Sequence, residues 1–243
     1  MSQSTIIRSE GRSVNQMREI SFERGFQKYA EGSCLVSFGQ TKVICSASID
    51  DRVPPFLMGS GQGWITAEYA MLPKSTKKRT PRERARSGRS QEIQRLIGRS
   101  LRSVVDLTKL GERTIYLDCD VLQADGGTRT ASITGCTVAL YDSLQFMLKN
   151  KLIDSFPLSE LVGAVSVGIV EGCVCLDLDY SEDSVADVDF NVVKTESGQF
   201  VELQGSAEHN TFNGKELNEL LAVADDGIRT IIQAQRDVLG IDK

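Results

Sequence analysis

A single histidine, a single tryptophan and five prolines stand among 243 residues, and aromatic side chains make up 6% of them. Cys173 and Cys175 would share one strand face, but only His209 could join them as an imidazole ligand, and this argues against a zinc site. The six cysteines lie in apolar segments without the spacing of a disulfide framework, so reduced, buried thiols are expected. No apolar run is long enough to span a bilayer; the stretch from Ala164 to Val170 is typical of those present. The polar start lacks the apolar centre of a signal peptide, and a cytoplasmic location is the expectation, with no membrane partner. No G-x-x-x-x-G-K-[ST] string occurs, which disfavours a nucleoside-triphosphate P-loop.

What the chain does have is a strongly uneven charge distribution. Between Lys74 and Arg102 eleven bases face two acids, Glu83 and Glu92, a net +9 in a chain whose total is −5. Such a field repels itself, and a polyanion bound through its phosphates is the physical reason to keep it. A solvated helix face with a loop is the plainer alternative. Arginines outnumber lysines eight to three here, and the guanidinium fork suits bidentate phosphate contacts. Nucleic acid is the first candidate, and Lys74, Lys77, Lys78, Arg79, Arg82, Arg84, Arg86, Arg95 and Arg99 are its candidate contacts.

Hydrophobic period predicts the elements around this segment. Cys34 to Ile49 reads as a hairpin about Phe38-Gly39-Gln40. Pro54, Pro55, Gly59, Gly61 and Gly63 mark an irregular connection running through Trp64 into the basic segment. From Glu92, apolar residues at helical spacing predict an amphipathic helix with Arg95, Arg99 and Arg102 on another face. Arg86 and Arg89 fall at its start, where the helix dipole repels cations and free amides attract anions; a bound phosphate would resolve that conflict, as would simple solvation. Arg113 to Gln123 alternates as a strand and ends at Ala124-Asp125-Gly126-Gly127, followed by Thr128-Arg129-Thr130 and a helix to Lys149. Strand, glycine turn and helix start outline an anion cradle, although such turns also occur without ligands.

An acidic region follows. Nine carboxylates and no lysine or arginine lie between Leu152 and Val193. A second hairpin is expected about Glu171-Gly172, with Asp177 and Asp179 as solvated residues of its return strand. Beyond it, extended geometry sends Val188, Phe190 and Val192 to one side and Asp187, Asp189 and Asn191 to the other. Aspartate is a poor strand former, so its presence suggests Mg²⁺ binding, acid catalysis by a carboxyl with a raised pKa, or plain exposure. Asn213 with Glu216 starts a last helix, which Gly227 could break in two.

The strings Gly61-Gln62-Gly63-Trp64-Ile65-Thr66-Ala67-Glu68-Tyr69, Glu92 to Arg99, Asp118 to Gly135, Asp189 to Val193 and Gln204 to Glu208 resemble the ribonuclease PH family of phosphorolytic exoribonucleases. The resemblance covers nearly the whole chain. It implies an α/β (α+β) fold of the ribosomal-protein-S5-domain-2-like type. Residues 1–155 would form an N-terminal lobe and 156–243 a C-terminal lobe, packed as one unit. It also implies a homohexamer built as a trimer of dimers. The implied activity is 3′ to 5′ trimming of transfer RNA precursors and other RNAs, with inorganic phosphate releasing nucleoside diphosphates. Arg89, Gly127, Thr128 and Arg129 would hold phosphate, and the candidate nucleic-acid contacts between Lys74 and Arg99 would bind RNA. Asp183 and Asp189 would be catalytic and would place Mg²⁺ or Mn²⁺. A catalytically silent, RNA-binding subunit of an exosome-type ring is the alternative, disfavoured because it would not need that combination of residues.

Overall fold

The computed structural model describes residues 8–82 and 88–241; Arg84 and Arg86 lie outside them. The first sheet contains β1 (Ile20–Arg24), β2 (Gly32–Phe38), β3 (Thr41–Asp50), β4 (Trp64–Met71) and β5 (Thr114–Gln123), in the order β1-β2-β3-β5-β4. The second contains β6 (Val162–Val170), β7 (Cys173–Leu176), β8 (Val188–Thr195) and β9 (Phe200–Ala207), in the order β7-β6-β8-β9. Four α-helices, with short 3-10 turns, complete the described fold: α1 (Gly88–Arg102), α2 (Thr128–Lys149), α3 (Tyr180–Asp183) and α4 (Gly214–Leu239).

The hairpin expected about residues 38–40 forms as β2 and β3, with Phe38 paired to Thr41. The connection expected to be irregular through Trp64 is instead strand β4, parallel to β5 from Trp64↔Thr114 to Met71↔Val121. Ile65, Ala67 and Tyr69 are buried on one face of it, so the two-residue period was present. The preceding prolines and glycines obscured it, because the strand starts directly after Gly63.

Helix α2 is buried over most of its length and all round its circumference. A helix of that kind has no solvent face and belongs between layers, and α2 packs on strands of both sheets. Two of its buried hydroxyls close on its own carbonyls, Ser132 to Thr128 at 2.8 Å and Thr137 to Ile133 at 3.0 Å, which lets those polar residues sit in an apolar environment. One hydrophobic core runs from the first sheet through α2 to the second sheet and α4. Strand β6 is buried at every position, as expected of a strand covered on both faces.

Helix α4 begins with the expected capping box of Asn213 and Glu216. Gly227 does not break it. A methyl group there would lie 2.7 Å from Leu176 Cδ1, so the missing side chain lets β7 approach the helix. Gln235, fully buried, donates to the carbonyls of Thr134 at 3.0 Å and Val162 at 2.9 Å, joining α4 to α2 and β6. Each bond contributes about 1 kcal/mol, and more would be lost if the buried carbonyls were left unpaired. No described helix is long and apolar enough to cross a membrane.

Candidate active site

The 124–127 turn ends β5 and starts α2. Gly126 and Gly127 have φ of 75° and 66°, the left-handed region that a side chain disfavours. Thr41 fixes the turn: its hydroxyl donates to the Gly126 carbonyl at 2.6 Å and accepts from the Asp125 amide at 2.9 Å. No side chain caps the start of α2, so the positive end of a 22-residue helix opens beside Thr128 and Arg129. Buried Tyr69 on β4 sets the Thr128 hydroxyl through a 2.8 Å bond between the two oxygens. Burial raises the Tyr69 phenol above its ordinary value, which keeps it protonated.

The other wall comes from the second sheet. Asp189 lies on β8, opposite Gly168 of β6 and Ser206 of β9. Asp183 closes α3, a single turn started by a capping box in which Asp179 accepts from the amides of Ser181 and Glu182 at 2.8 and 3.1 Å. Arg89, Gly126, Gly127, Thr128, Arg129, Asp183, Asp189 and Asn191 all line one cleft of about 340 Å³. A hollow of about 620 Å³ between the end of β8 and α4 is larger, but it holds none of these residues.

The cleft is electrostatically divided. Burial, then the neighbouring Asp183, pushes the Asp189 carboxyl up to about 6, against the pull of Arg129 and Arg89. Asp183 keeps an exposed edge, yet enough protein surrounds its carboxyl for burial to raise it, again opposed by Arg89 and Arg129. Arg129 is held by Gln204 of β9 and by Glu92 of α1, the latter at 3.3 Å, so it already ties α1 and α2 to the second sheet. The arrangement presents cations and an open helix end on one side, and a protonatable carboxyl pair on the other. That pair is also the hard-oxygen donor set that Mg²⁺ accepts alongside water and phosphate.

The proposed RNA contacts fall into three groups. Lys74, Lys77, Lys78, Arg79 and Arg82 are exposed on the loop after β4, and Thr76 of that loop lines the cleft. Arg95 is exposed on α1. Arg99 is exposed too but ion-pairs with Glu202 of β9 at 2.7 Å. Asp187 stands apart, accepting from Asn210 at 2.7 Å.

The expectation that Asp177 and Asp179 are solvated is wrong. Asp177 is fully buried and Asp179 nearly so. Both follow the short strand β7, and Arg12 and Arg18 from the N-terminal segment reach them. These arginines, with Arg8 on Glu182, were missed because their partners lie more than 150 residues away. The burial of three charges in so polar a segment left no periodic signal.

A fold that sets an anion cradle at the end of the first sheet against paired carboxylates beside the second, next to a basic track, defines a phosphate-dependent, nucleic-acid-processing enzyme. Residues 16–144 match the model of the 3′ exoribonuclease family, domain 1, and residues 160–227 that of domain 2. The chain belongs to this family and is a phosphorolytic 3′ to 5′ exoribonuclease. It is 55% identical over 238 residues to Ribonuclease PH of Bacillus velezensis, covering 96% of this chain and 97% of the relative. It is equally identical to Ribonuclease PH of Moorella thermoacetica over 97% and 95% of the two chains. Among solved structures it resembles rice (Oryza sativa) Rrp46, with a TM-score of 0.76 at 20% identity over 96% of this chain and all of that one. The Archaeoglobus fulgidus exosome with RNA bound to the active site gives 0.77 at 23% identity, over 93% and 91%. At those identities the structures support the fold alone.

Proposed function

We propose that the 340 Å³ cleft is where orthophosphate attacks the 3′-terminal phosphodiester of RNA. The observation that carries this reading is the convergence of Arg89, Thr128, Arg129, Asp183 and Asp189 on one wall-to-wall space, from four separate elements. Arg89, Arg129, the Thr128 hydroxyl and the amides at the start of α2 hold the phosphate and lower the repulsion between two anions. A phosphate oxygen forms a bond to the phosphorus of the last nucleotide as the bond to the preceding ribose 3′-oxygen breaks. Asp189, whose carboxyl is pushed up to about 6 and so keeps a far larger protonated fraction near neutral pH than an ordinary aspartate, donates its proton to that leaving oxygen. The product is a nucleoside diphosphate, and exchange of one phosphate ester for another makes the reaction reversible.

Asp183 and Asp189 would hold Mg²⁺ or Mn²⁺, which when bound would offset charge on the phosphates. Lys74, Lys77, Lys78, Arg79, Arg82, Arg95 and Arg99, with Arg84 and Arg86, would guide the strand. Ends of transfer RNA precursors are the proposed substrates, in a cytoplasmic homohexamer built as a trimer of dimers, where basic loops of several subunits line a common entrance.

Incubation with a 3′-tailed RNA, with and without inorganic phosphate, tests the reading. Phosphate-dependent release of nucleoside diphosphates is expected, and Asp189→Asn should abolish it while RNA affinity stays nearly intact. RNA binding without shortening by the unaltered protein would favour a silent scaffold. Equal loss of turnover and affinity in a folded Asp189→Asn variant would remove the acid role.

A further inference from the structure

Two segments with no sequence proximity have to be held in register for this site to work. One is the 125–127 turn, which aims the start of α2 at the phosphate; the other is the 177–183 segment, which ends in Asp183. The guanidinium of Arg18, itself only 4% exposed, bonds both. Its Nη1 donates to the Asp125 carbonyl at 2.5 Å. Its Nε and Nη2 donate to the two carboxylate oxygens of Asp177 at 2.9 and 2.6 Å, and Nη2 also reaches the Leu178 carbonyl at 3.3 Å. The backbone amide of Arg18 adds a 2.9 Å bond to the same carboxylate. A methyl group on Gly127 would lie 3.0 Å from Nη2, so the guanidinium packs directly against the turn.

The far side of the 177–183 segment is fastened independently. Arg8 grips both Glu182 carboxylate oxygens at 2.7 Å, and Arg12 donates to the Asp177 carbonyl at 3.0 Å. Asp177 has a φ of 53°, in the left-handed region that is uncommon for residues other than glycine and that aspartate tolerates better than most. Burial alone would lower the Arg18 pKa, but the bonds to Asp177 override this and raise it, so the guanidinium stays charged.

From this geometry we infer that Arg18, oriented by Asp177, is a positioning residue for phosphorolysis: it fixes the spacing between the phosphate cradle and the aspartate wall without touching substrate. The inference rests on the reading of the cleft given above. Only a planar fork can place two parallel bonds on Asp177 while a third donor reaches Asp125; a lysine ammonium keeps the charge and loses that geometry. Misplacement of a reacting group by about 1 Å can cost on the order of 100-fold in rate.

Arg18→Lys and Asp177→Asn test it, each assayed for cooperative unfolding, for kcat and KM for inorganic phosphate, and for RNA affinity without phosphate. The wild-type protein is assayed first, and its failure to release nucleoside diphosphates would sink the phosphorolytic reading itself, separately from the role of Arg18. With an active wild type, the folded variants should lose roughly 10- to 100-fold in kcat and show a several-fold higher KM for phosphate. RNA affinity should stay within about twofold. A merely structural role would lower the folded fraction while leaving kcat per folded site and KM unchanged. That result in either folded variant, or failure of both variants to fold, would overturn the proposal.

Discussion

Replacing Asp189 by asparagine should stabilise the protein while destroying its activity, and the effect should depend on pH in a defined way. The Asp189 carboxyl titrates near 6 in the folded protein, chiefly because of burial and then Asp183, against about 3.9 in an unfolded chain. Below the unfolded value both states are protonated and the stability contributed by the neutral carboxyl is fully present. As pH rises towards and through about 6 that stability is lost, because the unfolded chain ionises freely whereas the folded one resists. A shift of about two units corresponds to about 3 kcal/mol, an upper limit for a side chain that still meets solvent in the cleft. The asparagine variant, neutral throughout, escapes the loss. Its advantage should be near zero at about pH 4 and grow to at most about 3 kcal/mol at pH 8, a rise of up to roughly 6–12 °C in Tm for a domain of this size. Thermal unfolding of both proteins from pH 4 to 8, at one protein concentration with divalent cations chelated and phosphate omitted, measures it. A variant no more stable than wild type at pH 8, or one whose advantage does not grow with pH, would show that Asp189 is not held in a charge-disfavouring site.

Arg89→Ala should mainly raise the phosphate concentration needed for half-maximal rate; phosphate dependence equal to wild type would take Arg89 out of the site. Changing Lys74, Lys77, Lys78, Arg79 and Arg82 together to alanine should weaken RNA binding and flatten its salt dependence. At about 0.7 in the log–log slope per contact, five lost contacts give a decrease of at most about 3.5, and an unchanged slope would show that the loop does not track the backbone. Gly126→Ala should cost more than about 1 kcal/mol and impair turnover. Its φ is 75°, and the added methyl would lie 2.6 Å from the Leu178 carbonyl oxygen, an atom that cannot move without shifting the segment leading to Asp183. Stability within about 0.5 kcal/mol of wild type, measured by urea unfolding, would contradict that packing.

Features set by local period or local turn chemistry were legible before the fold was known. The hairpin of β2 and β3, the strand–glycine turn–helix unit from β5 to α2, and the capping box of α4 all depend on residues within a few positions of one another. Convergence of Arg89, Arg129 and Asp189 was also expected, but from the family likeness rather than from spacing, since no local rule joins residues that far apart. The failures have a common physical origin. Asp177 and Asp179 look like solvent residues because a carboxylate is normally exposed, and only Arg18, 159 positions from Asp177, and Arg12, 167 positions from Asp179, offset the burial of their carboxylates. Strand β4 was hidden by its flanks, although its alternation is regular. The buried thiols of Cys45, Cys119 and Cys136, whose sulfurs lie within 4.8 Å of one another, came together because β3, β5 and α2 meet there; the expectation of reduced core cysteines fits them, but not their meeting.

The two opposed charge fields in the sequence also explain why the site draws its walls from different parts of the fold. The cations arrive on α1 and α2, which pack against the first sheet, and the carboxylates on α3 and on β8 of the second sheet. Either group alone would repel itself in a closed space. Placing them face to face removes part of that cost without ending in a set of closed ion pairs: Asp189 remains shifted upward despite Arg89 and Arg129, so burial and carboxylate repulsion outweigh the attraction of both arginines. Full pairing would have driven the aspartate well below its ordinary value, leaving no proton to donate and less positive charge for phosphate. Arg129 is instead steadied by Gln204 and Glu92, contacts that orient the guanidinium from outside the aspartate pair. The unresolved excess charge on each wall is therefore what the cleft offers to an incoming phosphate on one side and to a departing ribose oxygen on the other.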